Sequence, residues 1–330
     1  MYYFSGIGDE AANKIDDQIR AIKALGWANL EARGVEVPGF PKGNIHDLPD
    51  QAFDILVEKV QSAGIQVNCF GSAIANWGKK IGEPGESSLA EARRCIPRMN
   101  RLGTKFVRIM SFAVRKEEDQ MADERFRRLR EITKMFLDNG LQPVHENCMN
   151  YGGMGWPFTL ELLEQVPGLK LVFDTGNPIF NEDRSKPKPW PKQDPWEFYE
   201  HVKEHIVHVH VKDARWNTAK NDADYTMPGD GDGKVQAILQ DLLASGYDGA
   251  ISIEPHVAVV FHDANVKASD EQMFDSFVEY GQRLMRLVDE IMVELKVPEM
   301  RAKAPLMAAA SYESIARVKQ QKPQTAISPR

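Results

Sequence analysis

Four stretches of the chain end in side chains that can grip a cation or move a proton. They read Val144-His145-Glu146-Asn147, Phe173-Asp174-Thr175-Gly176-Asn177, His208-Val209-His210-Val211-Lys212-Asp213 and Ile253-Glu254-Pro255-His256. Three carboxylates and an imidazole drawn to one point repel one another unless a cation sits between them. A donor set rich in oxygen with one nitrogen suits a divalent ion, Mn²⁺ first, with Mg²⁺, Co²⁺ or Zn²⁺ as alternatives. Alternation along a strand puts His208 and His210 on one face. Each residue alone says little, because a Glu ending a strand usually accepts a loop hydrogen bond and a strand His is usually structural. Their recurrence at the same end of four successive strand-like segments is what points to a metal centre.

Such a centre needs a scaffold that brings four distant strand ends to one rim. The hydrophobic pattern predicts strands near residues 2–5, 28–32, 66–70, 106–110, 142–146, 169–174, 206–211 and 250–254. Between them it predicts helices near 11–25, 52–63, 90–102, 124–139, 158–166, 195–204, 235–245 and 270–295. Gly26, Gly64, Gly103, Gly140 and Gly246 follow helix ends, where a left-handed cap is least costly. Eight β-then-α units predict an α/β fold of the (β/α)8 or TIM-barrel type rather than a doubly wound sheet. The strands read as apolar on both faces, as in Leu171-Val172-Phe173, the pattern of a covered parallel sheet. The barrel domain is expected over 1–296 and a C-terminal extension over 297–330. The extension's run Ala304-Pro305-Leu306-Met307-Ala308-Ala309-Ala310 is too apolar for a free tail and is expected to contact another subunit.

Three segments break the repeat: 71–88 with Trp77, 178–194 with Trp190, and 215–233 with Trp216, Tyr225 and the run Gly229-Asp230-Gly231-Asp232-Gly233. Each follows a strand and so belongs to the rim that carries active sites in barrels. Trp77, Tyr151, Trp156, Trp190 and Trp216 are expected on rim loops, where aromatic faces stack on sugars or flat aromatic groups, and some are expected only to pack loops. The glycine–aspartate run lacks the spaced ligands of a calcium loop and is expected as a tight turn before a helix.

Of 330 residues 42% are apolar and 27% charged, which excludes wholesale disorder, a coiled coil and a collagen-like fibre. A net charge of −7 argues against a nucleic-acid partner. Cys69, Cys95 and Cys148 form no CxxC, so a reducing, cytoplasmic setting is expected. No cleaved signal and no membrane span are expected, since no window approaches ~18 apolar residues. Neither GxxxxGKS nor GxxxxGKT occurs, and no nucleotide cofactor is expected.

The strand-end motifs, with Asp-Thr-Gly-Asn, His-x-His-x-Lys-Asp and Pro-Gly-Asp-Gly-Asp-Gly, resemble those of the xylose-isomerase-like superfamily of sugar isomerases and epimerases. The resemblance covers about residues 1–295 and implies one metal held by Glu146, Asp174, His210 and Glu254. Two departures stand out. Asn177 replaces a His that many keto-sugar epimerases place three residues after the strand-six Asp. Glu146-Asn147-Cys148-Met149-Asn150 replaces their Glu-x-x-Asn-Arg.

Within the superfamily, the His145-Glu146 pair, the Asn-Tyr-Gly-Gly-Met-Gly loop and the apolar tail look like the catalytic large (alpha) subunit of bacterial C-glycoside deglycosidase. That resemblance implies a lyase on 3-oxo-C-glycosides and a small beta subunit in a hetero-oligomer. It implies His145, Glu146 and Glu254 as catalytic groups, and Asn177, Lys212, Arg215, Trp77 and Tyr151 as substrate contacts. The alternative is a metal-dependent keto-sugar isomerase or epimerase. A three-zinc DNA-repair barrel is disfavoured by the negative charge and by only eight histidines. A non-catalytic sugar-binding subunit is the remaining reading.

Overall fold

The computed structural model describes residues 1–258 and 268–295. Eight parallel strands form one sheet: β1 (Tyr3–Gly6), β2 (Asn29–Ala32), β3 (Gln66–Gly71), β4 (Phe106–Ile109), β5 (Gln142–Glu146), β6 (Lys170–Asp174), β7 (Ile206–Val211) and β8 (Ala250–Ile253). Each strand neighbours the next in sequence, and β8 pairs with β1. A parallel bridge between Ile7 and Glu31 joins the β1 and β2 ends of the sheet. The result is the expected α/β TIM barrel. The expected extension at 297–330 lies outside the described residues.

The helices around the sheet are α1 (Ile15–Ala24), α2 (Asp50–Ser62), α3 (Glu86–Leu102), α4 (Ala122–Leu137), α5 (Trp156–Gln165), α6 (Pro195–Val202), α7 (Val235–Ala244) and α8 (Asp270–Glu294). Each buries one apolar stripe against the strands. In α8 the stripe is Met273, Phe277, Tyr280, Leu284, Val288 and Ile291, with the three- and four-residue spacing of one helix face. Its start is fixed by a reciprocal cap. Ser269 Oγ accepts from the Gln272 amide at 3.2 Å, and Gln272 Oε1 accepts from the Ser269 amide at 2.9 Å. Gly281 lets α8 approach α1, since a Cβ there would lie 2.5 Å from Leu25 Cδ1. No described helix is long and apolar enough to cross a membrane.

Two sequence expectations need correction. The strands are not apolar on both faces. Ser5, Glu31, Asn68, Arg108, His208, His210 and Ser252 are buried polar residues of the strands, and several bond one another across the barrel. Segment 215–233 is also not a plain loop. Asp213–Asn217 and Asp222–Thr226 pair as an antiparallel hairpin, with Trp216 opposite Ala223. The run Gly229–Gly233 then turns into α7, as expected. Its amides at Gly229, Gly231 and Gly233 all donate to the Asp213 carboxylate at 2.9 Å, which ties the loop to the residue beside Lys212.

His46 links the loop after β2 to the loop after β3. Its Nε2 accepts from the Ala73 amide at 3.1 Å, which requires a neutral ring. Burial, against the pull of Asp47, lowers its pKa from 6.5 to about 4. Unfolded chain therefore binds a proton that folded chain refuses between these values. The contribution is complete above pH 6.5 and is lost as pH falls toward 4, worth on the order of 3 kcal/mol. Denaturant titrations should show stability falling more steeply with acid in the parent than in His46→Gln. Equal slopes would mean the ring titrates freely in the fold.

Candidate active site

Glu146 and Glu254 line a cleft of about 190 Å³ at the barrel mouth, and Asp174 and His210 lie against them behind that lining. β5 ends in Glu146 and β6 in Asp174, β7 carries His210, and Glu254 follows β8. One donor atom from each of these four lies within 4.8 Å of the others, and all four residues are buried. His210 Nδ1 stands 3.8 Å from Glu146 Oε1 and 4.0 Å from Glu254 Oε2.

Cations close the group from outside. Arg108 donates to Glu146 Oε2 at 2.9 Å, and Arg33 donates to Glu254 Oε1 at 2.5 Å. Lys212 Nζ bridges Glu254 Oε2 at 2.8 Å and Asp174 Oδ2 at 3.0 Å. The contact with Asp174 is an ion pair without the alignment of a hydrogen bond, so Oδ2 keeps no hydrogen-bond partner. Asn177 Nδ2 donates to Glu146 Oε1 at 3.0 Å, and the Asn177 and Gly176 amides hold Asp174 Oδ1.

These surroundings set the charges. Burial pushes the Glu146 carboxyl up, but Arg108 and His210 outweigh it and hold it at about 2. Burial likewise opposes ionisation of Glu254, yet Lys212, His256 and Arg33 keep it well below the usual carboxylate range. Asp174 goes the other way: burial, helped by Glu254 and Glu146, raises it to about 6 against the pull of Lys212. Burial disfavours a charged His210, but Glu31 and Glu146 outweigh it and raise the ring to about 10. His210 Nδ1, Asp174 Oδ2 and Asn177 Oδ1 are buried without hydrogen-bond partners. Buried polar atoms are rarely left so. Asp174 Oδ2 and His210 Nδ1, without hydrogen bonds and beside the ionised carboxylates of Glu146 and Glu254, make a donor set that fits a divalent cation taking oxygen ligands.

The remaining expected residues divide. Asn177, Lys212 and Trp77 line the cleft, Trp77 being 45% exposed at its rim. His145 does not line it. The pleat turns His145 away from Glu146, and its Nε2 lies 3.0 Å from Ser111 Oγ and 2.9 Å from Asn150 Oδ1. Burial lowers its pKa to about 4. Tyr151 is buried against Phe126 and Phe158 and donates to Glu161. Arg215 is exposed and bonds the Asp230 carbonyl. Trp156 stacks on His201 at 3.8 Å, and Trp190 and Trp216 lie under Arg184 and Lys192.

Sequence reading passed over Arg33, Arg108 and Glu31. Arg108 carried a signal, a lone charge inside the apolar strand Phe106-Val107-Arg108-Ile109. Glu31 carried a similar one between Leu30 and Ala32. Arg33 sits just past β2 and had none.

A family model described as a xylose isomerase-like TIM barrel matches residues 19–276. No curated protein matches the sequence. Solved structures match in fold. A xylose isomerase domain protein from Planctomyces limnophilus shares 17% identity over 88% of this chain and 98% of its own, with a TM-score of 0.63. A xylose isomerase-like TIM barrel protein from Mycobacterium smegmatis, in complex with magnesium, shares 17% over 83% and 88%, with a TM-score of 0.61. D-psicose 3-epimerase from Clostridium cellulolyticum H10, solved with D-tagatose, shares 17% over 87% and 99%, with a TM-score of 0.61. At these identities the likeness is one of fold.

The Arg108–Glu146 pair gives a direct test of the electrostatics. Arg108→Met leaves a buried carboxylate unpaired and should cost about 3–5 kcal/mol in urea unfolding. Adding Glu146→Gln should recover at least half of that loss. A double variant as unstable as the sum of the singles would show that the two charges are not coupled.

Proposed function

Since the chain belongs to the xylose isomerase-like TIM barrel family, we propose that it is a divalent-metal-dependent enzyme that takes a proton from the carbon beside a sugar ketone. We further propose that the sugar is a 3-oxo-C-glycoside and that its aglycone leaves by elimination. The observation that carries the reading is the convergence of Glu146, Asp174, His210 and Glu254 in one buried group. These four would hold the ion, Mn²⁺ first. When bound, such an ion supplies positive charge to the ketone oxygen and lowers the cost of the negative charge that develops there.

The chain's own groups account for the rest. Glu146 and Glu254, both held ionised, are bases for the proton at C2. The electrons of the C2–H bond move toward the C3 oxygen as an enolate. They then return to re-form the C3 carbonyl and make a C1–C2 double bond, and the C1–aryl bond breaks. The aryl carbon keeps that pair and takes up one proton. Lys212 and Asn177 line the cleft beside these carboxylates and can donate to sugar oxygens. His145 lines no part of the cleft, so we assign it to holding Ser111 and Asn150 rather than to proton transfer. Arg215 and Tyr151 are likewise left out of substrate contact.

A second hollow of about 420 Å³ favours a substrate larger than a free ketose. It shares Trp77, Cys148, Met149 and Phe180 with the cleft. The cleft suits one sugar ring, and the hollow beside it, with Trp77, Met149, Met154 and Phe180 on one part and Asn181, Glu182, Arg184 and Lys192 on another, suits a flat aglycone that carries polar groups. The second reading is a keto-sugar isomerase or epimerase, favoured by the fold shared with D-psicose 3-epimerase. A small beta subunit is a part of the proposal that rests on the sequence resemblance, while a cytoplasmic setting rests on the cysteine pattern and the division at residues 296/297 on the hydrophobic pattern.

Two assays separate the readings. Protein stripped with EDTA and reloaded with Mn²⁺ should release aglycone from a 3-oxo-C-glucoside, read by mass spectrometry. Turnover of free ketoses with no aglycone release refutes the lyase and leaves the isomerase. In Glu254→Ala, both metal content and turnover should be lost. Full metal occupancy in that variant would remove Glu254 from the ligand set.

A further inference from the structure

A second cluster of buried side chains lies in the barrel below the cleft. Its centre is Glu31, on β2 at the seam where the sheet closes. Glu31 is fully buried and is not among the residues lining the cleft. Its carboxylate reaches across the barrel to β7 and β8. His208 Nε2 lies 2.9 Å from Oε2, His210 Nε2 lies 3.0 Å from Oε2 and 3.1 Å from Oε1, and Ser252 Oγ donates to Oε2 at 3.0 Å.

The local backbone is arranged for this reach. The β2–β3 register slips at Leu30/Glu31, so that Leu30 faces Val67 while Glu31 faces Cys69. Irregularities of this kind re-aim a side chain. The β6–β7 register slips too, bringing Val172 opposite His208 and Asp174 opposite His210.

We propose that Glu31 is a positioning residue of the site: it commits Nε2 of His210 to a hydrogen bond and thereby presents Nδ1 to the cation. The inference rests on the metal reading above. The geometry supports it from both ends of the ring. A carboxylate can only accept, so Nε2 must carry the proton toward Glu31. Nδ1 then is the atom that stands 3.8 Å from Glu146 and 4.0 Å from Glu254. Metal-binding histidines commonly need such an outer partner, and its removal weakens metal affinity. His208 and Ser252 complete the clamp by fixing the carboxylate from two further sides. Cys69 and His208 also lie within ligand range of Glu31. Glu31 Oε2 already accepts from three donors, which fits a clamp better than a second metal.

One measurement needs no substitution. In metal-free protein with ¹⁵N-labelled histidine, His210 and His208 should each show an Nε2 proton that exchanges slowly with water. A His210 ring protonated at Nδ1 alone overturns the proposal. Calorimetric titration with Mn²⁺ supplies the second readout. The parent should bind one equivalent, and Glu31→Gln should bind about 10–100-fold more weakly. Unchanged affinity in Glu31→Gln, with binding lost in Asp174→Ala, overturns the positioning role and leaves the metal reading standing. No binding by the parent, or binding unaffected by Asp174→Ala, overturns both. Two equivalents would make Glu31 a ligand with Cys69 and His208, and would overturn the role assigned here.

Discussion

Mutual repulsion of buried carboxylates is the constraint to which the rest of this barrel answers. Glu146, Asp174 and Glu254 meet within a few ångströms and are all buried. Each would shed its charge there unless something opposite faced it. Arg108 answers Glu146 from β4, Arg33 answers Glu254 from beyond β2, and Lys212 lies between Glu254 and Asp174. Asp174, without an arginine of its own, is the one whose pKa rises. The arginines act from the periphery and leave the inner faces of the group open toward His210. A group of carboxylates already faced by cations on its outer side is suited to share a further cation on its inner side.

Such a centre is costly to stability, and its position limits the damage. The helices and the outward strand faces form a continuous apolar layer, from Ile15 and Leu56 through Phe136 and Val209 to Phe277 and Leu284. Many of the buried polar residues lie in the barrel interior and at its C-terminal mouth, while others, such as Gln18, Arg98 and Arg125, are held on the helices. Glu31 sits where these two regimes meet, because its backbone closes the sheet against Ile7 while its carboxylate ties β2 to β7 and β8. One residue thus takes part both in the seam of the sheet and in the hydrogen bonds that hold His210.

How much of this the sequence made legible follows from the range of the interactions. Strands 142–146 and 206–211 were read at their observed limits, and α8 to within one residue, because periodicity and caps are local. The four convergent donors were readable because a parallel barrel brings successive strand ends to one rim. Arg33 was not, since its meaning lies in Glu254, 221 residues away. Glu31 was hidden for the same reason, its partner His210 lying 179 residues on. The hairpin at 213–226 was hidden differently. Its alternation is diluted by Arg215, Asn217, Asp222 and Asp224, so only cross-strand pairing reveals it. The resemblance implied a catalytic His145, and only its contacts with Ser111 and Asn150 show where the ring went.

The two functional readings share their first step and part at the second. Both remove a proton beside a ketone and place charge on the carbonyl oxygen, so the carboxylates, Lys212 and a bound cation serve either. An isomerase or epimerase returns the proton to carbon and needs a second base or acid on the sugar ring. A lyase needs a leaving group at the neighbouring carbon and room for it to depart. Both oxygens of Glu146 are engaged, by Arg108 and Asn177, and both oxygens of Glu254 by Arg33 and Lys212. In either reading the carboxylate that takes the proton must first give up one of these contacts, and an epimerase must have both do so. Space, by contrast, lies directly beside the cleft, which shares Trp77, Cys148, Met149 and Phe180 with it. Room for a leaving group beside the proposed bases is what an elimination needs, and it is the physical ground for placing the lyase first.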